Sequence, residues 1–334
     1  MSQTSVHSSP PNVSSTGKRR NAANSWDRKL PMLGPGDRIA EGDTELVLDI
    51  LPPDLASVAF EKLRNEVQWN VMHHRGGEVP RLVAVQGEVE PDGSHPIYRH
   101  PADSSPPTLP FTPTISLIRD HVSKALKQPL NHVLIQHYRT GADYISEHSD
   151  KTIDVVRGSK IVNISLGAER KMTLRTKKDA LPAHSAGDDG EDETKRATQR
   201  VPLPHNSMFA MGLETNAKWT HSIRADKRHI MSKSPSEQFN NGERISLTFR
   251  HIGTFLAPIE GDSKWKIWGQ GAKAKTKEEA HEVICGGPEG EALIDAFGKE
   301  NRQSEFEWDQ VYGEGSDVLH FIQEGQGEEI QENQ

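Results

Sequence analysis

The sequence predicts an α+β fold that is mainly β, a sandwich or jelly roll with flanking helices. Three observations predict it. After Pro129, six short runs alternate apolar and polar residues and are separated by turn residues: NHVLIQHY, KIVNISLG, RKMTLRT, SMFAMG, WTHSIR and RISLTFRHI. Two amphipathic segments of helical period precede them. Only 33% of the 334 residues are hydrophobic, so part of the chain lies outside any core.

Taken in order, residues 1–35 are rich in Ser, Pro and Asn and read as a disordered tail, because they bury too little apolar surface to offset chain entropy. Its Gly17-Lys18-Arg19-Arg20 cluster reads first as a solvated charge run and second as a nuclear-import signal. DLASVAFEKLRNEV follows, with Ala56, Ala59, Phe60 and Leu63 on one helical face and Asp54 as N-cap. Trp69 to Met72 reads as extended, and PRLVAVQGEV reads as a strand bracketed by Gly76-Gly77 and Pro91-Asp92-Gly93. A proline-rich loop over 101–113 leads into ISLIRDHVSKAL, where Ile115, Ile118, Val122 and Leu126 are in register.

The six strand-like runs then close a domain spanning 36–255. Residues 179–200 have almost no hydrophobic content and read as a mobile insertion between strands. Residues 256–334 form an acidic C-terminal extension, in which KTKEEAHEVI and GEALIDAFGKE read as two exposed helices.

Composition narrows the function classes. No window approaches 18 consecutive apolar residues, so no spanning helix, and hence no membrane role through one, is expected. Cys285 stands alone and can form no internal disulfide, which fits a reducing compartment, nuclear and/or cytoplasmic. The formal charge of −8 divides into −1 over 1–130, +4 over 131–255 and −11 over 256–334. The middle third favours a polyanion mildly and the last third repels one; the acidic extension could instead dock a protein partner.

Chemistry concentrates at three places. In an extended chain, residues i and i+2 project to one side, so His148 and Asp150 can reach a single point. His221, in KWTHSI, is the best third candidate. Two imidazoles and one carboxylate on one face of a metal leave positions open, as in non-haem Fe(II) oxygenases. With 16 histidines an H-x-D triplet also arises from packed or surface residues, and the sequence alone leaves both readings open. In RISLTFR, Arg244, Ser246, Thr248 and Arg250 share one face, and Ile245, Leu247 and Phe249 share the other, expected to pack against the second sheet. Two inward arginines require anions, and a dicarboxylate meets that need through bidentate pairing. A solvated edge strand is the competing reading.

Four ordered segments, NHVLIQHYRTGADYISEHSD, KIVNISLGAERKMTLR, HNSMFAMGLETNAKWTHSI and RISLTFR, resemble the AlkB-type Fe(II)/2-oxoglutarate dioxygenases. The resemblance is close over 131–251 and loose over 45–130. It implies a double-stranded β-helix with His148, Asp150 and His221 as catalytic iron ligands. It also implies a 2-oxoglutarate pocket formed by Arg244 with Tyr138, Gln136 and Ser246, and with Arg250 nearer the keto-acid end. Fe(II), 2-oxoglutarate and O2 would then hydroxylate a C–H bond, and an N-methyl group on a base in DNA or RNA would leave as formaldehyde.

The chain departs from the nucleic-acid-repair pattern at Gln136 and Ser246, where Asn is usual, and at Thr152, where an acidic residue is usual; Asp154 lies two residues further on. Trp69, Arg81 and Tyr98 are the candidates for holding nucleic acid, by stacking and by phosphate contact, and Lys177 and Lys178 are further phosphate candidates. A protein or small-molecule substrate, or a non-catalytic scaffold, are the alternatives.

Overall fold

Alternation in the six runs is realised as two antiparallel sheets facing each other. The computed structural model describes residues 31–320, apart from 75–76, 103 and 181–195, together with 322–323. The larger sheet runs, in spatial order, Glu45–Val47, Ser207–Met211, Ile161–Gly167, Arg244–Arg250, His132–Tyr138, Gly77–Gly87 and Asn70–His74. Thr108–Pro110 adds in parallel beside Gly77–Gly87. The smaller sheet runs Thr198–Leu203, Arg170–Thr176, Trp219–Ile223 and Ile145–His148. The chain crosses repeatedly from one sheet to the other, the weave of a jelly-roll double-stranded β-helix.

Helices Pro53–Glu66 and Pro113–Leu126 lie on the outer face of the larger sheet. The first buries Ala56, Ala59, Phe60 and Leu63, the stripe read from its period. Asp54 is not its cap: Pro52 holds the N-cap position with no side-chain bond, and Asp54 lies in the first turn, where its charge favours the helix dipole. The second buries Thr114, Ile115, Ile118 and Val122 and stops at Lys127, whose φ of 53° ends the α-helical path.

The floor under both helices is Val133, Ile135, Val162, Ile164, Leu166, Ile245, Leu247 and Phe249. The apolar face of the arginine strand therefore packs on helices, not on the second sheet as expected. Two amphipathic helices demand an unbroken apolar floor. The space between the sheets is what remains for polar groups, with Tyr138, Ile161, Phe209 and Met211 meeting Met172, Leu174, Trp219 and Ile223 around it.

Both ends of the domain differ from the sequence reading. In the reach assigned to the tail, the 1–30 portion lies outside the described residues, but Met32 bridges Arg200 and the Leu33 N–H donates to the Arg200 carbonyl at 2.8 Å. Of the 179–200 insertion, 181–195 lies outside the described residues, whereas Thr198, Gln199 and Arg200 pair with Arg175, Leu174 and Thr173. An open strand edge beside Arg170–Thr176 captures these polar residues through their backbone.

Beyond 256 the chain is not a pair of exposed helices. Thr254–Pro258 and Trp265–Gly269 form a hairpin flanked by His95–Pro96 and His281–Glu282. KTKEEAHEVI has no helical stripe, and Val283 instead donates its N–H to the Trp265 carbonyl at 2.8 Å. The second segment is a helix, Gly287–Arg302, but it buries Gly290, Leu293, Ala296, Phe297 and Glu300.

Arg99 ties this region to the jelly roll. It is fully buried; its Nε and Nη2 donate to Asp154, Nη1 to the carbonyls of Ser316 and Val318, and Nη2 also to the carbonyl of Gly271. Gly271 leaves the room: a Cβ there would sit 2.6 Å from Asp154 Oδ1. Asp154→Ala strands the guanidinium in the interior and should cost about 3–5 kcal/mol of stability, read from urea unfolding.

Candidate metal centre and co-substrate pocket

His148 closes the strand Ile145–His148, and His221 lies directly opposite it on Trp219–Ile223, cross-strand partners in register. Their rings lie 4.3 Å apart, centroid to centroid. Asp150 follows in the loop, with Oδ1 3.8 Å from His148 Nε2 and 3.6 Å from His221 Nε2. One donor atom from each of the three falls within 4.8 Å of the others, so a single ion can meet all three.

Local bonds prepare the set for a cation. His148 Nδ1 lies 2.7 Å from the Ser146 carbonyl, which leaves Nε2 pointing at the ion position. Burial, and His221 beside it, draw the His148 pKa to about 3, against the pull of Asp150; burial likewise lowers His221. Both rings are thus neutral ligands at neutral pH. Burial acts to raise the Asp150 carboxyl, but the Arg250 guanidinium beside it outweighs burial and holds it ionised. Arg250 donates to Asp150 Oδ2 through Nε at 3.0 Å and Nη2 at 2.5 Å, leaving Oδ1 for a metal. The Arg250 guanidinium lies 3.8 Å over the Tyr98 ring.

His148 and His100, whose pKa burial also draws to about 3, titrate well below the ordinary 6.5. Between those values the unfolded chain binds protons that the folded chain does not, so stability rises with pH through this window. Metal-free protein should therefore melt at progressively lower temperature as the buffer is taken from about pH 7 to about pH 4; a flat profile would contradict the buried neutral rings.

Behind the triad lies a narrow cavity of about 50 Å³ bordered by Tyr138, Gln136, Asn163, Arg244, Ser246 and Arg250. Arg244 is 1% exposed. Its Nε donates to Ser165 Oγ at 3.1 Å, and Nη2 donates to Ser165 Oγ at 2.6 Å and Asn163 Oδ1 at 3.0 Å. Its Nη1 is buried and has no hydrogen-bond partner. Burial draws the Arg244 pKa to about 10, still cationic at neutral pH. A buried cation with an unmet donor and, among the described residues, no carboxylate beside it fits the far carboxylate of a keto diacid. Ser246 Oγ accepts from Asn163 Nδ2 at 2.6 Å, and the Tyr138 hydroxyl donates to Gln136 Oε1 at 3.4 Å.

Asn163 and Ser165 escaped the sequence reading, although they break the apolar content of KIVNISLG on one face, a legible signal. Asn216 escaped it too. Its Oδ1 accepts the Asp150 N–H at 2.9 Å and its Nδ2 donates to the Asp150 carbonyl at 2.9 Å, clamping the ligand's backbone from both sides.

The substrate candidates fare less well. A cleft of about 1130 Å³ opens in front of His148 and Asp150, between the Glu78–Arg81 and Tyr144–Ser146 stretches and the helix Gly287–Arg302. Arg81 lines it, with Nη1 donating to the Tyr144 carbonyl at 3.0 Å. Trp69 does not: it packs against the helical core and His137, with its indole N–H on the Arg64 carbonyl. Tyr98 borders the cleft but is buried, its ring covered by Arg250 and its hydroxyl accepting the Lys151 N–H. A ring packed between Arg250 and the metal loop gains more from burial than from exposure.

Thr152 donates N–H and hydroxyl to Glu300, and Asp154 is consumed by Arg99, so neither faces the cleft. Lys177 is also buried, its Nζ donating to the carbonyls of Glu300 and Gln303, and Lys178 begins a short helical turn.

A jelly roll holding two imidazoles and a carboxylate at its mouth, with a buried arginine at its floor, defines the class of non-haem iron oxygenases. The chain matches the 2OG-Fe(II) oxygenase superfamily over residues 43–250, well over half its length; it belongs to that family and is of the AlkB type. Membership brings Fe(II) as the metal, with 2-oxoglutarate and O2 as co-substrates. The DNA oxidative demethylase ALKBH2 of Homo sapiens is 35% identical over 144 residues, covering 43% of this chain and 48% of that protein. The alpha-ketoglutarate-dependent dioxygenase alkB homolog 3 of Bos taurus is 25% identical over 201 residues, covering 59% and 62%. The match thus spans about half the length of the first relative and under two thirds of the second. The solved structure of OsALKBH1 aligns over 66% of this chain and 99% of its own at 15% identity, with a TM-score of 0.41.

Proposed function

We propose that the protein is an Fe(II)/2-oxoglutarate dioxygenase that removes alkyl groups oxidatively from nucleobases in DNA or RNA, in the nucleus or cytoplasm. The observation that carries the enzymatic part is the pairing of the His148, Asp150 and His221 donor set with the unmet Nη1 of Arg244 in one continuous interior. Similarity to a DNA oxidative demethylase supports the substrate class.

Roles follow from the geometry. His148 Nε2, His221 Nε2 and Asp150 Oδ1 would hold the metal. Arg244 would take the far carboxylate of 2-oxoglutarate, with Tyr138 walling the pocket and Ser246 and Gln136 offering hydrogen bonds. Arg250 holds Asp150 in place through Oδ2. When bound, Fe(II) with 2-oxoglutarate and O2 supplies oxidation of an N-alkyl C–H bond, after which the hydroxymethyl product releases formaldehyde and free base. The cleft in front of His148 receives the base, with Arg81 on its wall.

Incubating Fe(II)-loaded protein with a panel of N-methylated oligonucleotides should yield formaldehyde and unmodified base together with succinate. A second reading, a protein or small-molecule substrate, draws on Glu291 and Asp295, acidic residues bordering the cleft that oppose a phosphate backbone. Succinate without base repair across all lesions, and no oligonucleotide binding at low salt, would select it. The exposed acidic residues of the same helix are where a protein partner of the C-terminal region would dock.

A further inference from the structure

We propose that Glu300 and Asn301 are positioning residues of the metal centre, so that the C-terminal region, beyond the family match at 43–250, is a working part of the active site. This rests on the ligand assignment above. Asp150 sits in a loop, Ser149 to Thr152, outside any strand or helix. Four consecutive backbone N–H groups in that loop are each taken by a side chain from elsewhere. Ser149 donates to Asn301 Oδ1 at 2.8 Å, Asp150 to Asn216 Oδ1 at 2.9 Å, Lys151 to the Tyr98 hydroxyl at 3.1 Å and Thr152 to Glu300 Oε1 at 2.9 Å.

The outer two of these four holds come from the last turn of the helix Gly287–Arg302. They brace the ligand from both sides of the sequence. Glu300 is itself fixed: its other oxygen accepts from the Tyr312 hydroxyl, and its carbonyl accepts from Lys177 Nζ at 2.5 Å. Trp308 Nε1 adds a bond to the Thr152 carbonyl at 3.3 Å. A carboxylate at 2% exposure on the apolar stripe of Leu293, Ala296 and Phe297 is out of place for packing alone. Its partners explain it.

Ser149 is 1% exposed with Asn301 in place, and removing Asn301 takes away the acceptor that holds its N–H. The loop would move to find a partner and carry the Asp150 carboxylate away from the two imidazoles. Removing partners that orient metal ligands typically costs about 10–100-fold in metal affinity.

The test titrates Mn(II), as a non-reacting probe, into full-length protein and counts free ion by electron paramagnetic resonance. Parent protein binding Mn(II), with binding lost in His221→Ala, tests the ligand assignment separately. Given that, Asn301→Ala should weaken Mn(II) binding by about 10-fold or more. Asn301→Asp, which keeps an acceptor oxygen in the same place, should restore it. Asn301→Ala with parental Mn(II) affinity and only a lowered melting temperature would overturn the proposal, because Asn301 would then support the fold and not the ligand. Should Asn301→Ala not fold, Asn301→Gln, whose acceptor is displaced by one methylene, decides in its place: weakened binding sustains the proposal and parental binding overturns it.

Discussion

Asp150→Ala should abolish succinate formation and also destabilise the metal-free protein by about 3–5 kcal/mol. Loss of turnover follows from the ligand set, and the loss of stability has a separate cause. The reason is Arg250. Both side chains of the pair are almost completely buried, at 3% and 4% exposure, and Asp150 is the only carboxylate with which Arg250 pairs among the described residues. Deleting the acid leaves an uncompensated guanidinium in the interior, where water cannot replace the lost charge. Asp150→Asn keeps an oxygen for the Arg250 donors and should lose metal binding with a smaller stability cost. Succinate assays and urea unfolding on the same preparations separate the two effects. Parental stability of Asp150→Ala would show that the pair does not form as described.

Arg244→Ala should raise the KM for 2-oxoglutarate on the order of 100-fold or more. Two charge-assisted hydrogen bonds to a carboxylate contribute about 1.5–3 kcal/mol each, and about 1.4 kcal/mol is tenfold in affinity. Stability should respond in the opposite pattern to Asp150→Ala. Among the described residues Arg244 has no carboxylate partner and carries one unmet donor, so its removal strands no counter-charge there. What Arg244→Ala should lose is stabilisation by ligand: a saturating keto acid at about 100 times its Kd adds about 2.7 kcal/mol to the parent, and this thermal shift should vanish in the variant. A parental KM would remove the arginine from the co-substrate pocket.

Legibility followed the length scale of the interaction. Period-two alternation located the strands and put Arg244, Ser246 and Arg250 on one face, because a strand's two faces are set by local geometry. The H-x-D spacing was equally local. The destination of each face was not. Ile245, Leu247 and Phe249 went to the helices, and only packing of two helices on one sheet decided that. Tyr98 and Asp154 read as substrate contacts because nothing in their neighbourhood announces Arg250 or Arg99 as partners from distant parts of the chain. Glu300 was the clearest missed signal, a charge on an apolar stripe whose meaning appears only once Thr152 and Tyr312 lie against it.

The sequence by itself determined the mainly β class and the two packing helices, since each depends on side-chain periodicity; spacing left the metal donors and the arginine beneath them open, and only the resemblance of the ordered motifs pointed to them. The tertiary structure alone decided which buried charges are paired with one another and which remain free for a ligand. It also made the acidic C-terminal region a wall of the cleft and a brace for the metal loop. The physical reason is that a buried charge or N–H must find a partner, and that partner is set by what the folded chain brings near, at any separation in sequence.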